Sequence, residues 1–174
     1  MPTVRIRERW AFVKTYVVVG GVAGGMSAAA RLRRLDSTAR IVVVEQGSEV
    51  SFANCGLPYF VSGEIARRDD LLLRTPDSLA QTLGLQVRVD TLATAIDASS
   101  REVSLRGPSG ETERLRYDAL VLAPGAYAVR PPIPGIDHPR VRTLRTVPDA
   151  DTVRGWVDAG ARRAVVLGAG FIGL

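Results

Sequence analysis

Short apolar runs rich in β-branched residues alternate with mixed, helix-like segments along most of the chain. Thr15–Val19 and Ile41–Val44 are apolar without alternation, a pattern typical of strands that are buried on both faces of a parallel sheet. The alanine-rich segment Met26–Leu35 lies between them, and its apolar stripe runs from Ala28 to Leu35 at helical spacing. The pattern therefore predicts a strand, a helix and a second strand parallel to the first.

The rest of the chain continues this α/β alternation, with one cluster of short strands in the middle. Turn residues separate the strands of that cluster closely, which predicts an antiparallel meander. Thr75 as N-cap, Pro76 in the first turn and Gly84 as the stop predict a helix. The remaining predicted elements are the strand Val87–Val89, the meander strands Leu92–Asp97, Arg101–Leu105 and Thr112–Arg116, the strand Asp118–Leu122, the helix Asp149–Ala159 and the strand Arg163–Leu167.

A glycine-rich turn joins the first strand to the first helix. Gly20 permits a tight turn, Gly25 permits close packing of the helix on the strand, and the helix N-terminus offers N–H groups to a pyrophosphate. Val22 stands where this dinucleotide fingerprint usually has its middle glycine. Glu45 ends the second strand about twenty residues further on, where a carboxylate can bind an adenosine ribose. This order favours a dinucleotide site over an α/β turn without a nucleotide, with contacts at Gly20, Gly21, Val22, Ala23, Gly24, Gly25 and Glu45.

A polar row lies beside the apolar stripe of the first helix. Ser27, Arg31 and Arg34 fall at i, i+4 and i+7, so they share one helix face. One hydroxyl and two guanidiniums in a row can grip a phosphorylated or carboxylated ligand. The alternative interpretation is an ordinary solvated face.

The segment Ser51–Tyr59 holds Cys55, the only cysteine among 174 residues. Small and turn-forming residues surround Cys55, and Pro58 suits the opening turn of a short helix. Backbone N–H groups at such a turn stabilise a thiolate and favour reactivity. The alternative is a buried cysteine that packs as a small hydrophobe. Because one cysteine cannot form an internal disulfide, we expect a reducing, cytoplasmic location.

Composition narrows the class of ligand. The chain is 46% hydrophobic and 24% charged, with a mean hydropathy of +0.09, as expected of a soluble globular protein. No apolar run approaches the roughly 18 residues of a membrane span, and Met1–Lys14 lacks the pattern of a secretory signal. The net charge of +5 comes almost wholly from arginine, which favours an anionic ligand. The chain has no basic run and no nucleic-acid motif, so we predict no nucleic-acid partner. We also predict no membrane partner and no metal site.

The glycine turn Gly20–Gly25 and the segment Ser51–Tyr59 together resemble the single-cysteine branch of the FAD-dependent pyridine nucleotide-disulfide oxidoreductases. The similarity is greatest to coenzyme A-disulfide reductases and their persulfide-reductase relatives, from about Thr15 to the end of the chain. The resemblance implies an α/β fold: a Rossmann-like FAD-binding domain with a parallel sheet and an inserted antiparallel meander. Ala123 and Gly125 match the second flavin motif at the end of a strand.

The resemblance also implies the chemistry. Electrons from NAD(P)H would pass through FAD to a coenzyme A disulfide or coenzyme A persulfide, and the full-length enzyme is expected to be a homodimer. Cys55 matches the redox cysteine, which alternates between a thiolate and a mixed disulfide with coenzyme A. Leu83 stands where a further basic contact to coenzyme A is expected. The positions that match the other coenzyme A contacts are Ser27, Arg31, Arg34, Ser51 and Asn54.

The C-terminal residues resemble the opening of a second Rossmann-like domain, which binds NAD(P)H. Gly168, Gly170 and Gly173 follow the last predicted strand and match the dinucleotide fingerprint. The sequence is therefore expected to be the N-terminal part of a longer enzyme and to have little NAD(P)H-dependent turnover alone. The expected domains are an extension at 1–14, the N-terminal part of the FAD-binding domain at 15–150, and a linker with the truncated start of the NAD(P)H-binding domain at 151–174.

Two other functions stay open. One is NADH oxidase or peroxidase chemistry of the same superfamily, with Cys55 cycling through a sulfenic acid. Those enzymes usually carry a histidine in the first glycine loop, where this chain has Val22 and Ala23, which counts against this function. The other is an FAD-binding fragment without catalysis.

Overall fold

The predicted apolar runs pair side by side as a parallel sheet in a computed structural model, which describes residues 13–168. The strands are β1 (Thr15–Val19), β2 (Arg40–Val44), β3 (Gln86–Arg88), β4 (Leu92–Asp97), β5 (Glu102–Arg106), β6 (Thr112–Arg116) and β7 (Ala119–Leu122). The helices are α1 (Ala23–Leu35), α2 (Leu57–Ser62), α3 (Pro76–Leu83) and α4 (Val147–Asp158). Turns of 3-10 helix lie at Asn54–Gly56 and Arg68–Leu71.

The described residues divide into two compact units. The first unit runs to Val50 and includes Thr75–Pro124, and the second comprises Ser51–Arg74 and the chain from Gly125 onward. The first unit holds the parallel sheet, in the order β3-β2-β1-β7, and a separate antiparallel sheet, in the order β4-β5-β6. This arrangement confirms the predicted α/β class with its inserted meander.

Successive side chains of each strand point to opposite sides of the parallel sheet. Both faces of the sheet are buried, because each one packs against other apolar side chains. Val18 and Val43 face one side, where α1 contributes Met26 and Ala29 to the core. Val17, Val42 and Val44 face the other side, where they pack against Val103, Leu105 and Leu115 of the meander. The continuous apolar runs in the sequence predicted strands that are buried on both faces, and the structure confirms this prediction.

The predicted boundaries of α3 are confirmed, and those of α4 shift slightly. Thr75 and Ser78 form a reciprocal capping box at the start of α3, and Gly84 ends the helix in a left-handed conformation with φ of +58°. α4 begins at Val147, two residues before the predicted start, because Thr146 caps it by accepting a hydrogen bond from the Asp149 N–H.

Two predictions about packing are wrong. The apolar stripe of α1 does not extend to Leu35, which is 66% exposed. The buried positions are Gly25, Met26 and Ala29 instead, because the helix packs this face on the sheet near its N-terminus. The predicted strand Arg163–Leu167 also does not form: residues 161–168 are irregular and exposed, and no strand within residues 13–168 pairs with them.

Candidate cofactor and thiol sites

The loop between β1 and α1 depends on glycine at two positions. Gly20 has φ of +102°, and a Cβ at Gly20 would collide with the Ala123 carbonyl group. A Cβ at Gly25 would collide with the Gly20 carbonyl oxygen and would lie 3.2 Å from Val18 Cγ1. The Ala123 N–H also donates to Val19 O at 2.8 Å. The loop is thus fixed against the end of β7 and the start of α1.

The carboxylate at the end of β2 is turned toward this loop. Glu45 Oε2 accepts a hydrogen bond from the Gly21 N–H at 2.6 Å, and Oε1 accepts one from the Gly47 N–H at 2.9 Å. Glu45 was predicted only as a ribose ligand, and the structure shows that its carboxylate also orders the loop. Hydrogen bonds to an ionised group are among the stronger ones, which makes this contact a substantial restraint.

The N-terminus of α1 presents backbone donors without a protein cap. Val22 occupies the N-cap position, its side chain makes no capping hydrogen bond, and the first turn of α1 contains no acidic residue. Ala23 and Gly24 are exposed there, and a Cβ at Gly24 would meet only Ala123 Cβ, at 3.6 Å. Uncapped N–H groups at the positive end of a helix suit a pyrophosphate. These features fit the adenosine and pyrophosphate part of a dinucleotide such as FAD.

The polar row of α1 is exposed, which agrees with both the ligand-binding interpretation and the solvated-face alternative. Ser27, Arg31 and Arg34 are exposed, and within residues 13–168 none of their side chains has a hydrogen bond or ion pair. Arg33 differs, because it donates to Leu83 O at 2.8 Å and to Gly84 O at 3.1 Å and so joins α1 to the end of α3. Two unpaired guanidiniums one helical turn apart leave this face available to an anionic ligand.

Cys55 lies in the 3-10 turn Asn54–Gly56, immediately before α2, and its thiol is exposed. This location excludes the alternative in which the cysteine is a buried packing residue. Asn54 Oδ1 accepts a hydrogen bond from the Cys55 N–H at 3.1 Å, and Pro58 lies in the first turn of α2 as predicted.

A short antiparallel bridge fixes the chain on the N-terminal side of this turn. Phe52 pairs with Leu72, the Ala53 N–H donates to Leu71 O at 2.8 Å, and the Leu73 N–H donates to Ser51 O at 3.1 Å. Ser51 adopts a left-handed backbone conformation with φ of +53°, which directs the chain into the bridge. Neither this bridge nor the 3-10 turn at Arg68–Leu71 was predicted.

Gly125 begins the second segment of the second unit, and Arg145 of the same segment packs against it. The Arg145 guanidinium occupies the place of a Cβ at Gly125, which has φ of +76°, and Arg145 Nε donates to Ala126 O at 2.8 Å. Sequence reasoning missed Arg145, because Arg145 itself belongs to no recognised pattern and lies about twenty positions after its partners Gly125 and Ala126.

The remaining predicted positions lie near the C-terminus. Gly168 has φ of +114° and no atom close to its Cβ position, whereas Gly170 and Gly173 lie outside the described residues.

Leu83, which stands where a basic contact was expected, packs against the core at the end of α3. No helix in the described part of the chain is long and apolar enough to cross a membrane.

Comparison with known proteins gives a consistent result. Residues 14–174 match the family model described as pyridine nucleotide-disulphide oxidoreductase. A coenzyme A disulfide reductase of Staphylococcus haemolyticus is 36% identical over 164 residues, which cover 93% of this chain and 37% of that protein. The chain thus spans little more than a third of the length of the curated relatives that it matches.

Two solved structures show the same similarity in three dimensions. An NAD-dependent persulfide reductase from A. fulgidus is 42% identical, with a TM-score of 0.88, over 92% of this chain and 30% of that chain. A water-forming NADH oxidase from Lactobacillus brevis is 29% identical, with a TM-score of 0.85, over 92% of this chain and 35% of that chain.

Proposed function

The chain belongs to the pyridine nucleotide-disulphide oxidoreductase family, and from that premise we propose that it is part of an FAD-dependent NAD(P)H:disulfide oxidoreductase acting on coenzyme A disulfide or a coenzyme A persulfide. The observation that carries the proposal is the exposed Cys55 thiol in its 3-10 turn. The similarity to a coenzyme A disulfide reductase and to a persulfide reductase supports this substrate class.

The thiol step needs only one cysteine from the protein. The Cys55 thiolate attacks one sulfur of coenzyme A disulfide, the substrate S–S bond breaks, and the second coenzyme A leaves as a thiolate. One disulfide is consumed and one mixed disulfide forms, so this step requires no separate oxidant. The Asn54 side-chain oxygen accepts the Cys55 N–H, and the side-chain amide nitrogen of Asn54 has no hydrogen bond within residues 13–168, so it can donate to the incoming sulfur or its substituent.

Arg31 and Arg34, with Ser27 beside them, supply the specificity in this proposal. Coenzyme A carries several phosphate charges, and guanidinium groups bind phosphate through paired, charge-assisted hydrogen bonds. Both guanidiniums are exposed and free of protein partners within residues 13–168, so a ligand need not displace an existing ion pair. Ser51 is proposed to contribute on the side of the cysteine segment.

The FAD in this proposal would be held by the glycine loop, by Glu45 and by Ala123 and Gly125. When bound, FAD supplies the electron pair from NAD(P)H that reduces the mixed disulfide. The roles of the protein residues are to bind and orient: Gly20, Gly21 and Gly25 give the loop its close approach, and the uncapped turn Ala23–Gly24 offers backbone donors. The Gly168 region is proposed to begin the nicotinamide site.

The experiment is a rate comparison on the reduced 174-residue chain with two disulfides. Mass spectrometry follows formation of the mixed disulfide at Cys55 with coenzyme A disulfide and with the uncharged bis(2-hydroxyethyl) disulfide. We expect R31A/R34A to slow the coenzyme A reaction about 10-fold or more, since hydrogen bonds to charged groups contribute about 1.5–3 kcal/mol. The reaction with the uncharged disulfide should keep its rate.

Two controls make the result specific. C55S should form no adduct with either disulfide. R106A/R114A removes the same charge from exposed positions on β5 and β6 and should change both rates less than about twofold, because long-range attraction is screened by salt. Equal slowing with both disulfides, or equal slowing in R106A/R114A, would contradict the assignment of coenzyme A to this face of α1.

A second candidate is NADH oxidase chemistry, favoured by the similarity to the Lactobacillus brevis enzyme. The Cys55 thiolate would then attack one oxygen of hydrogen peroxide, the O–O bond would break, and Cys55 would become a sulfenic acid while the other oxygen leaves as hydroxide and is protonated to water by solvent. Dimedone trapping in the same variants distinguishes the two. An oxidase-type site predicts fast, arginine-independent reaction of Cys55 with peroxide and slow reaction with coenzyme A disulfide.

A further inference from the structure

The helix that follows Cys55 is held at its far end by a residue of α4. The Arg154 Nη1 donates a hydrogen bond to Phe60 O at 3.0 Å, and the guanidinium carbon lies 5.9 Å from the centroid of the Phe60 ring. We propose that Arg154 is a positioning residue for Cys55, which acts by fastening α2 and thereby the 3-10 turn that carries the thiol.

The contact is built into the end of α2. Phe60 O is one of the last carbonyls of the helix and also accepts the Gly63 N–H at 3.2 Å. A cation beside these carbonyls opposes the negative end of the helix dipole. Gly63 has φ of +93°, and a Cβ there would lie only 3.0 Å from Arg154 Nη1, so the guanidinium fits closely over the glycine.

Arg154 is itself restrained on α4. Its Nε donates to both carboxylate oxygens of Asp158, at 2.9 and 3.0 Å, one helical turn further on. A second tie joins the same two regions, because Arg68 Nε donates to Asp151 at 2.9 Å. Arg68 begins the 3-10 turn that leads into Leu71 and Leu72, the partners of the cysteine segment in the antiparallel bridge. Both sides of the cysteine turn are thus anchored on α4.

The geometry makes this anchoring consequential for the thiol. α2 has six residues, and a helix this short has little stability without tertiary contacts. Cys55 is exposed, so packing of its own side chain does not hold it in place. Its position depends on the bridge before it and on α2 after it. A displacement of about 1 Å at a reacting group can cost about 100-fold in rate. The value of this positioning to catalysis rests on the proposed role of Cys55.

The test uses the single cysteine of the 174-residue chain as the attachment point for a nitroxide spin label. Continuous-wave EPR spectra at 20 °C measure the order of the label in the parent chain and in R154A, R154K and R130A, and circular dichroism gives the melting temperatures. We expect R154A to at least double the mobile fraction of the spectrum. R154K keeps the charge and one donor, so it should remove at least half of that increase.

R130A is the matched control, because Arg130 lies in the same unit and also pairs with a nearby aspartate, Asp137 at 3.4 Å. Its spectrum should equal that of the parent chain. A parent-like spectrum in R154A with a lowered melting temperature would overturn the proposal, since Arg154 would then stabilise the fold without ordering the thiol. If R154A does not fold, R154K decides: a small mobile increase supports the proposal, and a parent-like spectrum with lower melting temperature overturns it.

This test is independent of the substrate assignment. It measures order at position 55 without coenzyme A, FAD or turnover, so loss of coenzyme A selectivity in the disulfide experiment would sink the proposed function and leave the positioning result unaffected. Conversely, an unchanged EPR spectrum in R154A removes Arg154 from the site even if Cys55 reacts selectively with coenzyme A disulfide.

Discussion

Gly24 and Gly25 are neighbours in the first turn of α1, yet a methyl group would have opposite effects at the two positions. At Gly25 it would collide with the Gly20 carbonyl oxygen, which belongs to the loop backbone and not to a flexible side chain. We predict that G25A lowers the free energy of unfolding by about 1–3 kcal/mol or more, as expected for overpacking.

G24A is the control for this prediction. Its methyl group would meet only Ala123 Cβ at 3.6 Å, and alanine is favoured over glycine in a helix by up to about 1 kcal/mol. The urea midpoint of G24A should therefore equal or exceed that of the parent chain, with unchanged slope. Equal midpoints for G24A and G25A would show that the loop relaxes freely around a side chain at residue 25.

At the scale of elements, local signals predicted most of the first unit. The glycine loop, the Thr75 N-cap of α3 and the meander each depend on residues that lie close together in sequence, so their patterns were readable. The observed start of a helix differs from the predicted start where a capping residue sets it. Thr146, for example, caps α4 and places its first residue at Val147. The binding roles of the loop residues stay predictions, although the positions of Gly20, Gly25 and Glu45 agree with them.

Contacts between distant segments could not be read from the sequence. The Arg154–Phe60 hydrogen bond joins residues 94 positions apart, and the pairing of Phe52 with Leu72 carries no strand pattern of its own. The opposite failure occurs at Arg163–Leu167, where a strand-like pattern has no hydrogen-bonding partner within residues 13–168. An apolar run predicts a strand only on the condition that a neighbouring strand completes its ladder.

The turn between β4 and β5 predicts a pH dependence of stability. The Ser99 hydroxyl, followed by the Ser100 N–H, donates to the Asp97 carboxylate and lowers the pKa of Asp97 to about 2. In the unfolded chain the pKa of an aspartate is about 3.9. Because the folded pKa is the lower one, this stabilisation is complete above pH ~4 and is lost as the pH falls toward about 2.

The measurement is the difference in urea midpoint between the parent chain and D97N from pH 2 to pH 6. Asparagine keeps the shape and one acceptor but has no charge to lose, so the parent chain should be the more stable at pH 6. The difference should shrink steadily below pH ~4. Other acidic residues titrate in the same window in both proteins, and their effects cancel in the comparison. A difference that is independent of pH would show that the charge of Asp97 contributes nothing to the turn.

At the scale of the whole molecule, the parts proposed for thiol exchange and those proposed for hydride transfer are not equally developed. The cysteine turn has its bridge, its helix and its exposed thiol within the described residues. The segment that was predicted to open the nicotinamide site does not form a strand, and its Val165 side chain is 96% exposed. The two half-reactions should therefore separate in this chain.

We predict that the 174-residue chain exchanges disulfides without sustained turnover. With coenzyme A disulfide, the reduced chain should release about one coenzyme A per Cys55 and then stop, because attack by the thiolate requires only the cysteine segment and the disulfide. Added NAD(P)H and FAD should not extend the reaction, since residues 161–168, predicted to open the nicotinamide site, form no strand that could help to orient the hydride donor. Both events can be measured in one cuvette. A thiol-specific dye detects the release of coenzyme A, and the absorbance of NAD(P)H at 340 nm detects oxidation of the nicotinamide.

Two outcomes would be informative. Continuous NAD(P)H oxidation that needs coenzyme A disulfide and disappears in C55S would show that this chain completes both half-reactions. A desalted sample that keeps its yellow flavin colour yet shows only the single release would show that this chain binds FAD and would place the missing function in hydride delivery.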